Sequence, residues 1–190
     1  NLDNYLQMEG LAYRLVNNSK DVINQKKMTE NLMNYIGDKL WFQDYDANKK
    51  NILKDSISKE YQRGYIYRNL ANPEVYVDPQ LGRLIQNYRT GFVRLSISHY
   101  LEKNFQQAEK ALLKMEEIMP SNVVPIPSKE LQYQIAQVYS GIGNQEKMTY
   151  HMKELVARKD LALSDYLLYG KTFIQSLEDF EESKLIFETI

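Results

Sequence analysis

The stretch Phe92–Pro120, FVRLSISHYLEKNFQQAEKALLKMEEIMP, decides the fold. Phe92, Leu95 and Ser96 fall on one face of a helix, with His99 and Tyr100 a turn later. Lys103-Asn104-Phe105 makes a turn, and Ala108, Leu112 and Met115 line a second helix. Pro120 stops that helix, because it lacks an N–H and clashes with the preceding turn. Ser96 and Ala108 are small where the two helices must approach closely; large side chains there would push the axes apart. A hairpin of this size cannot bury its apolar face alone, so one clear copy predicts stacked neighbours.

Working outward, a second copy follows. Ile135 and Ala136 correspond to Leu95 and Ser96, Tyr139 supplies the aromatic, and Gly143-Asn144 the turn. Met148, Met152 and Leu155 form the second stripe, and Asp160 stands where the terminal proline would be. Ala108 and Met148 are 40 residues apart, longer than the period of about 34 usual for such repeats. The excess falls in SNVVPIPS, Ser121–Ser128, which Pro125 and Pro127 make extended and stiff. A weaker third copy has Tyr166, Tyr169, Gly170 and Phe173 in its first helix, a turn at Asp179–Ser183, then Leu185, Ile186 and Phe187. The pattern of large and small residues, tyrosine, turn, alanine and proline resembles the tetratricopeptide helix-turn-helix repeat. Lys103 takes the place of the usual turn glycine.

The N-terminal part is less regular. Leu11–Val16 reads as a short extended segment, with a turn at Asn17-Asn18-Ser19. Thr29–Ile36 reads as a helix capped by Thr29 and ended by Gly37, with Leu32, Met33 and Ile36 on one face. Trp41 and Phe42 follow in a polar loop, where the tryptophan reads as an anchor at the core edge ahead of a ligand platform. Ser56–Leu70 is expected to be helical, with Tyr61, Tyr65 and Tyr67 covering a neighbouring surface. Val75-Tyr76-Val77 is extended. Asp78 caps a long helix over Gln80–Tyr100, entered through Pro79. The expected fold is therefore mainly α: about three helical-hairpin repeats over residues 80–190, preceded by an irregular helical part over 1–79 with one or two short extended segments. Together they are expected to make one compact domain.

Composition narrows the function. A net charge of −1 and a pI near 6.2 argue against a nucleic-acid groove, which needs a concentrated basic face. Lys26-Lys27 and Lys49-Lys50 read as solvated surface. With no cysteine, disulfide frameworks, thiol nucleophiles and cysteine-ligated zinc are excluded. No apolar run approaches the about 20 residues that span a bilayer. The chain opens Asn1-Leu2-Asp3 without methionine, which reads as a processed or excised fragment.

No catalytic, cofactor or metal site is expected. His99 and His151 are the only histidines and sit at dissimilar repeat positions, without an HExxH-type pattern. Glu116-Glu117 and Glu181-Glu182 are adjacent pairs, so each pair diverges on a helix and reads as solvated charge. The candidates for a partner-binding or structural role are Asn87, Arg89 and Arg94. The arginines are five apart and point to different faces, one free to anchor the VYVD segment through Asp78 and the other to face a groove; the structural reading is favoured. Fifteen tyrosines are many for 190 residues and suit both packing and interfaces.

Five segments, MEGLAYRLV (Met8–Val16), MTENLMN (Met28–Asn34), PEVYVD (Pro73–Asp78), NYRTGFVRL (Asn87–Leu95) and KMEEIMP (Lys114–Pro120), carry a further resemblance. Their order resembles the soluble C-terminal region of a bacterial multi-pass membrane family similar to protein O-mannosyltransferases, domain-of-unknown-function family 2723. The resemblance covers roughly Met8–Leu155, and residues 46–71 look like an insertion relative to that pattern. It implies a non-catalytic accessory domain at the periplasmic face of the inner membrane, with a transmembrane region as covalent neighbour and a protein or peptide as partner. The sugar-transfer chemistry would lie in the membrane part, so no catalytic residue carries over. The alternative is a free-standing peptide-binding scaffold.

Overall fold

The computed structural model describes residues 6–16, 22–33, 65, 67 and 69–176. Among them are six helices and one two-stranded sheet, so the chain is mainly helical. In order these are β1 (Leu6–Met8), β2 (Tyr13–Leu15), α1 (Gln25–Met33), α2 (Pro79–Leu101), α3 (Phe105–Ile118), α4 (Lys129–Ile142), α5 (Gln145–Val156) and α6 (Leu163–Ser176). Two compact units divide the chain, Asn1–Ser98 with Lys110–Pro125, and His99–Glu109 with Ile126–Ile190. The division falls within α2 and α3. Gly37, Trp41, Phe42, Ser56–Gly64, Asp179–Ser183 and Leu185–Phe187 lie outside the described residues.

In the first unit, β1 and β2 pair antiparallel with Leu6 opposite Leu15. Gly10 turns between them at φ +125°, where a Cβ would collide with the Tyr65 hydroxyl. Met8 also bridges Ile23 in parallel. The extended reading of Leu11–Val16 thus narrows to Tyr13–Leu15, and β1, only three residues long, shows no alternation by which to find it. α1 starts earlier than its apolar residues indicate. Asn24, not Thr29, is its cap: Asn24 Oδ1 accepts from Lys27 N–H at 3.1 Å. Polar Gln25-Lys26-Lys27 fills the first turn, so the apolar pattern begins only at Met28. The helix buries Met28 and Leu32. The described end of the segment expected as a helix to Leu70 is not helical, with Asn69 at φ +55°. Tyr67 does cover a neighbour as expected, packing on Tyr88 and Phe92 and donating to Leu32 O.

α2 begins as read. Asp78 Oδ1 accepts from Gln80 N–H at 2.7 Å and Pro79 occupies the first position. α2 and α3 run antiparallel. Tyr100 packs on Phe105 at one end, and Arg89 bonds Met119 at the other.

In the second unit, Ser128 caps α4 through Leu131 N–H, and Asn144 caps α5 through Lys147 N–H. Both hairpin turns close identically. Lys103 N–H and Asn104 N–H donate to Tyr100 O and His99 O; Gly143 N–H and Asn144 N–H donate to Ser140 O and Tyr139 O. This is a Schellman closure, which needs a left-handed residue at the helix end. Gly143 supplies it at φ +85° and Lys103 at φ +61°. The buried positions correspond at the same forty-residue spacing: Leu95 with Ile135, Ser96 with Ala136, Ala108 with Met148, Leu112 with Met152, and Met115 with Leu155.

Candidate functional site

Of the three candidate residues, Arg89 has the most constrained surroundings. It is 1% exposed, yet no carboxylate is bonded to it. Nη2 donates to Met119 O and Val124 O, both at 2.7 Å, and Nη1 donates to Gln86 Oε1 at 2.8 Å and Pro125 O at 3.2 Å. The physical need is visible in the chain. α3 ends against Pro120, and the loop beyond it has no ladder to satisfy its carbonyls, so a side-chain donor must. The guanidinium fork reaches several at once. Burial pulls Arg89 down to about 10, with the nearby Glu116 pulling the other way, so it keeps its charge at neutral pH.

The expected anchoring of the VYVD segment by an arginine on Asp78 does not occur. The Asp78 carboxylate is turned to the first N–H groups of α2, and Arg89 lies three turns further along that helix. Arg94 points elsewhere, as the five-residue spacing requires. It is exposed, and Nη1 donates to Tyr13 Oη and lies 3.4 Å from Met8 Sδ, fastening α2 to the small sheet. Asn87 is exposed on α2. The three residues of one motif thus diverge and form no common site.

The contribution of Gln86 was not legible in advance. Its amide accepts from Arg89 and donates to Pro125 O, so it orients the guanidinium and shares its loop carbonyl. The available signal was its place one turn before a buried arginine. Arg158 plays a comparable part in the second unit, donating to Ile126 O and Pro127 O while paired with Asp160.

The remaining polar groups are dispersed. Glu116 and Glu117 diverge as expected, Glu117 pairing with Lys114 at 2.8 Å while Glu116 acts on Arg89. Burial lowers the His99 pKa against the pull of Glu102, and His151 stacks on Tyr139. A cavity of about 380 Å³ is lined by Tyr67, Asn69, Leu70, Ala71, Asn72, Glu117 and Ile118. Its Tyr67 hydroxyl, Asn72 carbonyl and Glu117 carboxylate are each already bonded within the chain. Among the described residues no group of three or more His, Asp or Glu could hold a metal, and no helix is long and apolar enough to cross a membrane. Comparison with protein-family models, with curated proteins and with solved structures finds no match.

Proposed function

We propose that the chain is a non-catalytic accessory domain of a bacterial membrane glycosyltransferase-like protein, built of tetratricopeptide-like hairpins that position an acceptor or partner protein at the periplasmic face of the inner membrane. The observation that carries the scaffold part is the forty-residue correspondence of turn and buried positions between α2–α3 and α4–α5. Chains built this way present extended surfaces to partners. The membrane enzyme enters through the resemblance of the five segments, including the NYRTGFVRL motif that contains Arg89 and Arg94.

The test is the complete reading frame, expressed with and without this domain. Multi-pass apolar segments should accompany the domain, and its removal should abolish acceptor modification while membrane insertion persists. A reading frame without such segments ends the membrane assignment. Peptide-array binding by the domain would then favour the free-standing scaffold.

A further inference from the structure

The C-terminal end of α3 gathers negative charge beside a cavity. Pro120 has no N–H, so the ladder of α3 ends with Met119 N–H on Met115 O, and the next bonds, from Val123 and Val124 N–H, go to Pro120 O. Among the described residues no main-chain N–H closes on the carbonyl of Glu117 or Ile118. A helix end of this kind carries a partial negative charge. Arg89 answers it at Met119 O. Glu117 and Ile118 instead line the cavity of about 380 Å³, where the Glu117 carboxylate adds a full charge of the same sign. The turn Asn69–Asn72, closed by Asn72 N–H on Asn69 O at 3.2 Å, supplies the other lining, with Leu70 and Ala71 as its apolar part.

We infer that this cavity binds a small organic cation, an ammonium or guanidinium group carried on a short apolar stem. The head pairs with the Glu117 carboxylate and the Asn72 side-chain carbonyl, and the stem lies against Leu70 and Ala71. Both acceptors have capacity left. The Glu117 oxygens each take one bond from Lys114 Nζ, at 2.8 and 2.9 Å, and Asn72 Oδ1 takes one from Glu74 N–H at 3.0 Å. Each of these oxygens keeps a second lone pair. The Lys114 pair is exposed, with the Glu117 side chain 68% accessible, and such pairs hold weakly. Lys114 is therefore an internal competitor that an incoming cation displaces or shares. The volume lies within the range of small-molecule sites, about 300–1,000 Å³. A hard divalent ion needs about six oxygen ligands, and the lining brings a single carboxylate. An anion meets the wrong sign. All of these residues belong to the first unit, so the inference stands apart from the proposed function.

The probe is n-butylammonium chloride, titrated into the isotopically labelled full chain at constant ionic strength and followed by proton–nitrogen correlation spectra. The main-chain amides of Leu70, Ala71 and Asn72 should shift saturably. E117Q should raise the dissociation constant by about fivefold or more. K114Q, which removes the competitor, should lower it by about twofold. These opposite signs from two residues one turn apart separate a cation site from a general loosening of the helix end. Neutral n-butanol, which carries the stem without the charge, should produce no saturable shift at those amides, and this comparison needs no variant. Absence of saturable shifts with n-butylammonium overturns the assignment. So do equal shifts with n-butanol, an unchanged constant in E117Q, or weaker binding by K114Q.

Discussion

Replacing Arg89 by methionine tests whether the buried guanidinium holds the proline loop. Methionine keeps much of the volume of the side-chain stem and removes the fork. Met119 O and Val124 O then lose donors that sit at 2.7 Å in buried surroundings. An unsatisfied buried carbonyl costs about 1–3 kcal/mol. Removing a buried cation returns part of the cost of having desolvated it, so the net loss should be about 2–4 kcal/mol. For a chain of 190 residues this lowers Tm by about 5–15 °C. The measurement is urea unfolding followed by far-UV circular dichroism, with calorimetry as a second probe. Arg89→Lys should recover less than half of the loss, because an ammonium is a point donor and cannot reproduce the fork. Arg94→Ala, at an exposed position, should fall within about 1 kcal/mol of the native chain. A methionine variant within about 0.5 kcal/mol of native, with an unchanged m-value, would refute the reasoning.

Three further predictions concern the hairpins. Lys103→Gly should stabilise the chain by about 1 kcal/mol, since the left-handed φ of +61° costs a side chain what glycine avoids; Gly143→Ala should destabilise by a similar amount through backbone strain alone, because a Cβ there meets nothing within 4 Å, and paired urea titrations read both signs. Asn144→Ala should cost about 1–2 kcal/mol by uncapping α5 and releasing the 2.7 Å bond to Glu109, visible as a lower denaturation midpoint. Burial holds His99 below its ordinary 6.5, so the unfolded chain takes this proton more readily. Its contribution is complete above about pH 6.5 and is lost as pH falls through the folded value; the stability difference between the native chain and His99→Gln should therefore shrink between pH 7 and 5, and a constant difference would contradict it.

The hairpins were legible because their punctuation is chemical. Pro120 cannot continue a helix, and Gly143-Asn144 combines a left-handed residue with a cap. Even Lys103, without glycine's freedom, sits at the position its neighbours require. Thr29 misled because a cap is sought beside the first apolar residue, whereas α1 spends a polar turn on Gln25-Lys26-Lys27 before Met28. Arg89 was among the residues singled out, but its partners were sought among carboxylates. Backbone carbonyls are carried by every residue, so nothing in Met119, Val124 or Pro125 marks them as acceptors.

The loop after Pro120 would ordinarily be where a protease enters first, since it has neither helix nor strand. Cleavage requires the main chain to be drawn into an extended strand whose carbonyls pair with the protease. Here the carbonyls of Val124 and Pro125 are occupied by Arg89, and those of Ile126 and Pro127 by Arg158. Val124 and Ile126 also keep their side chains buried. Nicking at this loop must wait for those bonds to open, so its rate would time the opening of α2, which carries Arg89, and of the turn after α5, which carries Arg158.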